Sequence, residues 1–181
     1  MKKLAVLALG VLFVACSESD PTTVPFLPEG PAYGIAANGG AAGTAQLAGA
    51  NEVPSRDTPA RGQAVFTLSE DGLSYRLIVA NIENVVASHL HLGTAGVNGP
   101  VVAFLAGPFA PGAGAVNGPL AEGTVTAANL IGPLAGQTLE SLMAQIAAGN
   151  VYVNVHTNDG IVGVNTGPGD FPGGEIRGQI R

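Results

Sequence analysis

Gln63 to Ala80 reads Q-A-V-F-T-L-S-E-D-G-L-S-Y-R-L-I-V-A, and its pattern decides the fold class. Ala64, Phe66 and Leu68 alternate with Gln63, Val65 and Thr67; past Glu70-Asp71-Gly72, Leu73, Tyr75, Leu77 and Val79 alternate with Ser74, Arg76, Ile78 and Ala80. Successive side chains of a strand point to opposite faces, so this period of two marks two half-buried strands. Glycine tolerates the positive φ of a tight turn, which makes Glu70-Asp71-Gly72 a hairpin connection and the pairing antiparallel.

Outward from the hairpin the same period recurs. Ala45, Leu47 and Gly49 alternate with Thr44, Gln46 and Ala48, and further strands are predicted at Val86 to Leu92, Val101 to Leu105, Val151 to Thr157 and Gly174 to Ile180. A short strand is expected at Thr124 to Ala128, and Ala106 to Pro119 is expected to be a loop. One helix is predicted near 138–148: Thr138 is placed to cap it, Leu139, Leu142, Met143 and Ile146 recur on one face, and Gly149 suits a left-handed C-terminal cap. With 11% charged residues, 27 glycines and 13 prolines in 181 residues, the chain favours short strands and many turns. The expected fold is all-β: an antiparallel β-sandwich, Ig-like or Cu,Zn superoxide dismutase-like, carrying one short helix.

The N-terminus reads as a signal. Lys2 and Lys3 precede the apolar run Leu4 to Ala15, which is too short for a bilayer span, and Cys16 follows at once. Phe13-Val14-Ala15-Cys16 matches a bacterial lipoprotein box, with Phe13 where leucine is usual, so residues 1–15 are expected to be removed and Cys16 lipidated. The alternative is an ordinary secretory signal that leaves Cys16 as a free thiol. Residues 16–43, dense in Pro and Gly, are expected to tether a domain spanning 44–181 off a lipid surface. Ser17 after the cysteine favours the outer membrane in a Gram-negative cell. Without its signal the chain keeps five arginines against thirteen acidic residues, a formal charge of −8, and offers no basic face for nucleic acid. Cys16 is the only cysteine, so no internal disulfide forms.

Six blocks occur in order: A-N-E-V-P (50–54), D-G-L-S-Y-R-L (71–77), S-H-L-H-L-G-T-A-G-V-N-G-P-V-V (88–102), N-L-I-G-P-L-A-G (129–136), G-N-V-Y-V-N-V-H-T (149–157) and P-G-G-E-I-R-G-Q-I (172–180). Together they resemble the CHRD domain, named after its copies in the animal protein chordin, over about Thr44 to Arg181. The resemblance implies a β-sandwich in an extracellular setting with no established activity. The chain is expected to act as a binding or structural module for an extracellular protein or polysaccharide, the alternative being a copper- or zinc-binding redox or metal-storage protein. The segment before P-G-G-E-I-R-G is longer here than in that family, extended by I-V-G-V-N-T-G-P-G-D-F (161–171).

All three histidines fall in two of these blocks. His89 and His91 are two apart and share one face of a strand; Tyr152, Asn154 and His156 share the face of theirs opposite Val151, Val153 and Val155. If the two strands are neighbours or face one another, the three imidazoles converge on a site suited to copper or zinc. H-x-H followed by a distant V-x-V-H is also similar to the copper-binding pattern of Cu,Zn superoxide dismutases. That likeness implies copper ligands at His89, His91 and His156 and a steering charge at Arg177. No fourth histidine exists to bridge two metals, and no second His and Asp cluster is available for zinc. The other reading gives the histidines a purely sheet-organising role, their ring nitrogens bonded to carbonyls or to Glu175. Glu175, Arg177 and Asn154 are the expected supporting residues: Glu175 as a carboxylate orienting His156, or with Arg177 as a solvated ion pair on the last strand. No catalytic residue is assigned, since Ser88 points away from His89. Asn158, Asp159 and Asp170 lack the spacing of a calcium loop.

Overall fold

The computed structural model describes residues 40–181; the expected signal over 1–15, Cys16 and residues 17–39 of the expected tether lie outside the described residues. Eight strands form one antiparallel sheet: β1 Gly40–Ala48, β2 Arg61–Ser69, β3 Gly72–Glu83, β4 Val85–Leu92, β5 Val101–Ala106, β6 Ala115–Val125, β7 Val151–Thr157 and β8 Ile176–Gln179. Their order is β5-β4-β7-β8-β1-β2-β3-β6. The expected all-β antiparallel class with a single short helix is what the chain adopts. The two apolar faces that a sandwich packs together belong here to one continuous sheet curled until it nearly closes. Tyr75 on β3 donates its hydroxyl to the Leu105 carbonyl on β5 at 2.6 Å, and the Ile131 amide bonds the Val102 carbonyl at 2.9 Å, tying the two ends of the sheet to each other and to the connecting chain.

The hairpin that opened the sequence reading forms in register, Phe66 opposite Tyr75 and Ser69 opposite Gly72. Its inward positions, Ala64, Phe66, Leu73, Leu77 and Val79, are all but sealed from solvent and meet Leu90, Val153 and Ile176 in one core. A side chain such as Phe66 buried this way stabilises the fold by several kcal/mol, about 3–5 on truncation to alanine. The helix α1, Leu139–Ala147, begins where the Thr138 side chain accepts from the Ser141 amide at 3.3 Å and buries Leu142, Met143 and Ile146. It stops at Gly149, whose φ of +73° is the left-handed conformation expected there.

One stretch departs from the sequence reading. The expected loop over Ala106 to Pro119 is a loop only as far as Gly114: β6 then starts at Ala115 and runs to Val125, pairing with β3. The chain over Thr124 to Ala128 ends that strand and enters a single 3-10 turn, Ala127–Asn129. Gly118, Pro119 and Gly123 hide the alternation of β6. As a sheet-edge strand, bonded on one side only and shifted in register against Ile78, it accommodates a proline that a central strand would exclude.

Candidate metal centre

Pairing of β4 with β7 sets the site. Ala87 stands opposite His156, His89 opposite Asn154 and His91 opposite Tyr152, so alternation puts all three histidines on the outer face of the sheet. Among the described residues, His89, His91 and His156 each offer one ring nitrogen, and these atoms lie within 4.8 Å of one another. On the next strand Phe104 pairs with His89 and sets its ring edge-on to the imidazole, 4.4 Å between centroids.

Backbone carbonyls fix two of the three tautomers. His91 Nδ1 lies 2.9 Å from the Gly99 carbonyl and His156 Nδ1 lies 2.9 Å from the Pro172 carbonyl. A carbonyl only accepts, so both Nδ1 atoms carry the proton and both Nε2 atoms carry a lone pair. His89 Nδ1 sits 3.1 Å from His156 Nε2 and therefore donates to it in the metal-free protein. The Nε2 atoms of His89 and His91 are shielded from solvent and have no hydrogen-bond partner. Burial holds all three imidazoles below their ordinary pKa; for His89, burial together with the neighbouring His156 and His91 brings it down to about 4. The cluster is a set of neutral nitrogen donors at neutral pH.

The supporting residues take other places than those expected. Glu175 and Arg177 are not a solvated pair: they are 0% and 1% exposed and do not touch. The Glu175 carboxylate accepts from the Thr58 and Thr157 hydroxyls, each at 2.6 Å, and from the Gly169 amide at 3.0 Å, so the Pro172 carbonyl and not Glu175 orients His156. The guanidinium of Arg177 lies 3.4 Å from the Tyr152 ring centroid and donates to the carbonyls of Thr94 and Val97. Tyr152 stacks in turn on His91, 4.9 Å between centroids at 12°. Asn154 reaches Glu52 with its amide nitrogen at 3.4 Å. The alternation of β8 places Ile176 in the core and Arg177 on the outer face beside Asn154, as expected. What it did not carry is that the β4–β5 connection and the chain around Glu52 fold over that outer face and bury it.

A family model described as the CHRD domain matches residues 43–180. The chain belongs to the CHRD family. No curated protein and no solved structure matches it significantly. In this CHRD domain the sequence blocks that carry the resemblance meet in space: A-N-E-V-P supplies Glu52, G-N-V-Y-V-N-V-H-T supplies Tyr152, Asn154 and His156, and P-G-G-E-I-R-G-Q-I supplies Arg177. Glu52, 6% exposed and with Oε1 unpartnered, was not foreseen as part of this cluster. Burial pushes its carboxyl up to about 7 against the opposing pull of Arg177, Arg56 and Asn154. Its one signal in sequence was an acid set between strands in a family block. Gly99 and Pro172 act through carbonyls, which no side-chain pattern reveals. A groove of about 550 Å³ lies beside Glu52 and Arg177, lined also by Gln46, Gln179 and Arg181, and contains none of the histidines.

Proposed function

We propose that this protein is an exported CHRD module, lipid-anchored in the cell envelope through Cys16, that binds a transition-metal ion, copper or zinc, at His89, His91 and His156. One observation carries the metal reading: one ring nitrogen from each of the three histidines lies within 4.8 Å of the other two, carbonyls hold the His91 and His156 protons on Nδ1, and Nε2 of His89 and of His91 has no partner. A histidine that binds metal characteristically donates its other N–H to a carbonyl or carboxylate, which fixes the ring and the tautomer. A purely sheet-organising role accounts for the carbonyl bonds; it leaves the buried, unpaired Nε2 atoms of His89 and His91 without a reason, although such atoms are costly.

The anchor reading rests on the basic start, the apolar run Leu4 to Ala15 and the box ending at Cys16. In an outer membrane the module would meet extracellular protein or polysaccharide, and metal held at the outer face of its sheet would be its cargo or a structural element. The deciding measurement is elemental analysis of full-length protein purified without a polyhistidine tag, with thermal unfolding after added copper or zinc. One equivalent of metal and a raised unfolding temperature are expected. No stoichiometric metal, and a melting curve unmoved by either ion, would return the histidines to a structural role.

A further inference from the structure

We infer that the ion the centre selects is monovalent copper; this rests on the metal reading above and assigns its oxidation state. Three features of the site bear on charge and coordination number. The donors are three neutral imidazoles, with no carboxylate or thiolate in the cluster. The closest buried charge on the His91 side is positive: Arg177 packs on Tyr152, and Tyr152 packs on His91. Of the three buried acids among the described residues, Glu175 has its carboxylate satisfied by Thr58, Thr157 and Gly169, Asp170 accepts from the Thr166 amide, and Glu52 faces Asn154. A cation therefore meets no anion within the cluster itself. The cost of burying an ion grows with the square of its charge, so a dication is penalised about four times as heavily as a monocation.

Coordination number points the same way. Zinc held by three protein ligands completes its tetrahedron with water, and divalent copper takes a tetragonal set of nitrogen and oxygen donors. Here the free lone pairs of His89 and His91 are shielded from solvent, and the Phe104 ring lies edge-on to His89, 4.4 Å between centroids. Monovalent copper is a filled-shell ion that is content with three nitrogen donors and needs neither a water nor an anion. Closing the three nitrogens onto it requires that His89 give up its bond to His156 and present an unprotonated nitrogen, by turning its Nε2 toward the ion or by moving its proton from Nδ1 to Nε2; the ring stays neutral in both cases.

The experiment is an anaerobic competition on full-length, tag-free protein. Monovalent copper is supplied from a chromophoric bicinchoninate complex, zinc from a chromophoric zinc indicator, and divalent copper in a glycine buffer. We expect one monovalent copper per chain, bound about a thousandfold more tightly than zinc, and silent in electron paramagnetic resonance. His91→Gln and His156→Gln, each checked for a native circular dichroism spectrum, are expected to lose that tight binding. Zinc or divalent copper held as tightly as monovalent copper would overturn the oxidation-state assignment while leaving a metal site. Binding of none of the three ions would remove the metal reading itself, and binding retained in both folded variants would place the copper elsewhere.

Discussion

His89 Nδ1 and His156 Nε2 lie 3.1 Å apart, and because the Pro172 carbonyl holds the His156 proton on Nδ1, the proton between the two rings belongs to His89. Both rings are neutral, and so is His91, since burial holds all three pKa values down. Metal uptake at pH 7.5 is therefore expected to release no protons. Titration calorimetry in two buffers of different ionisation enthalpy should give the same binding enthalpy, and affinity should pass through pH 6.5, where an unperturbed imidazole titrates, without an inflection.

Glu52 gives the fold a pH dependence of definite sign. Its folded-state pKa of about 7 lies above the ordinary 4.5, so the native state favours the protonated carboxyl. The stability this contributes is complete below the unfolded value and is lost as pH rises toward the folded one. Glu52→Gln, which keeps a neutral polar group, should match the parent at pH 4 and exceed it above pH 7 by about 2–3 kcal/mol in urea unfolding. A difference that does not change with pH would show that Glu52 stays ionised.

Arg177 is 1% exposed and satisfied by carbonyls and by the face of Tyr152, not by an acid. Arg177→Lys keeps the charge and loses both the planar stack and the fork of donors, so it is not a conservative change. A loss of about 2–4 kcal/mol is expected for Lys and at least as much for Ala, read from denaturant midpoints. Equal stability of Lys and parent would mean that charge alone matters at this position.

Gly99 places the carbonyl that orients His91, and a Cβ there would fall within the Leu92 carbonyl group. Gly99→Ala must therefore shift the β4–β5 connection, releasing the His91 ring and the Gly99 amide bond to the Tyr152 hydroxyl. We expect a loss of about 2 kcal/mol or more in stability and a tenfold or greater loss of metal affinity, the usual cost of removing an orienting partner. Unchanged metal affinity in a folded Gly99→Ala protein would exclude Gly99 from any positioning role.

The strands around Phe66 and Leu77, the helix capped by Thr138 and the shared face of His89 and His91 were all legible in the sequence, because period and capping are written in neighbouring residues. β6 was not, since Gly118, Pro119 and Gly123 break the alternation and the strand is held by its pairing with β3. Glu175 and Arg177 look like surface residues in a list and are the reverse in space, because the chain that covers them comes from residues 58, 94–98 and 169.

By itself, then, the sequence determined an antiparallel β domain of the CHRD type and which side chains of each strand share a face. Those properties follow from the pleat of a single strand and from local turn chemistry. Only the tertiary structure decided that β4 lies beside β7, which brings His156 to His89, and that carbonyls of Gly99 and Pro172 aim the rings. Strand pairing and burial are set by the free energy of contacts between residues far apart in the chain, and the alternation within one strand carries no record of which neighbour will supply them.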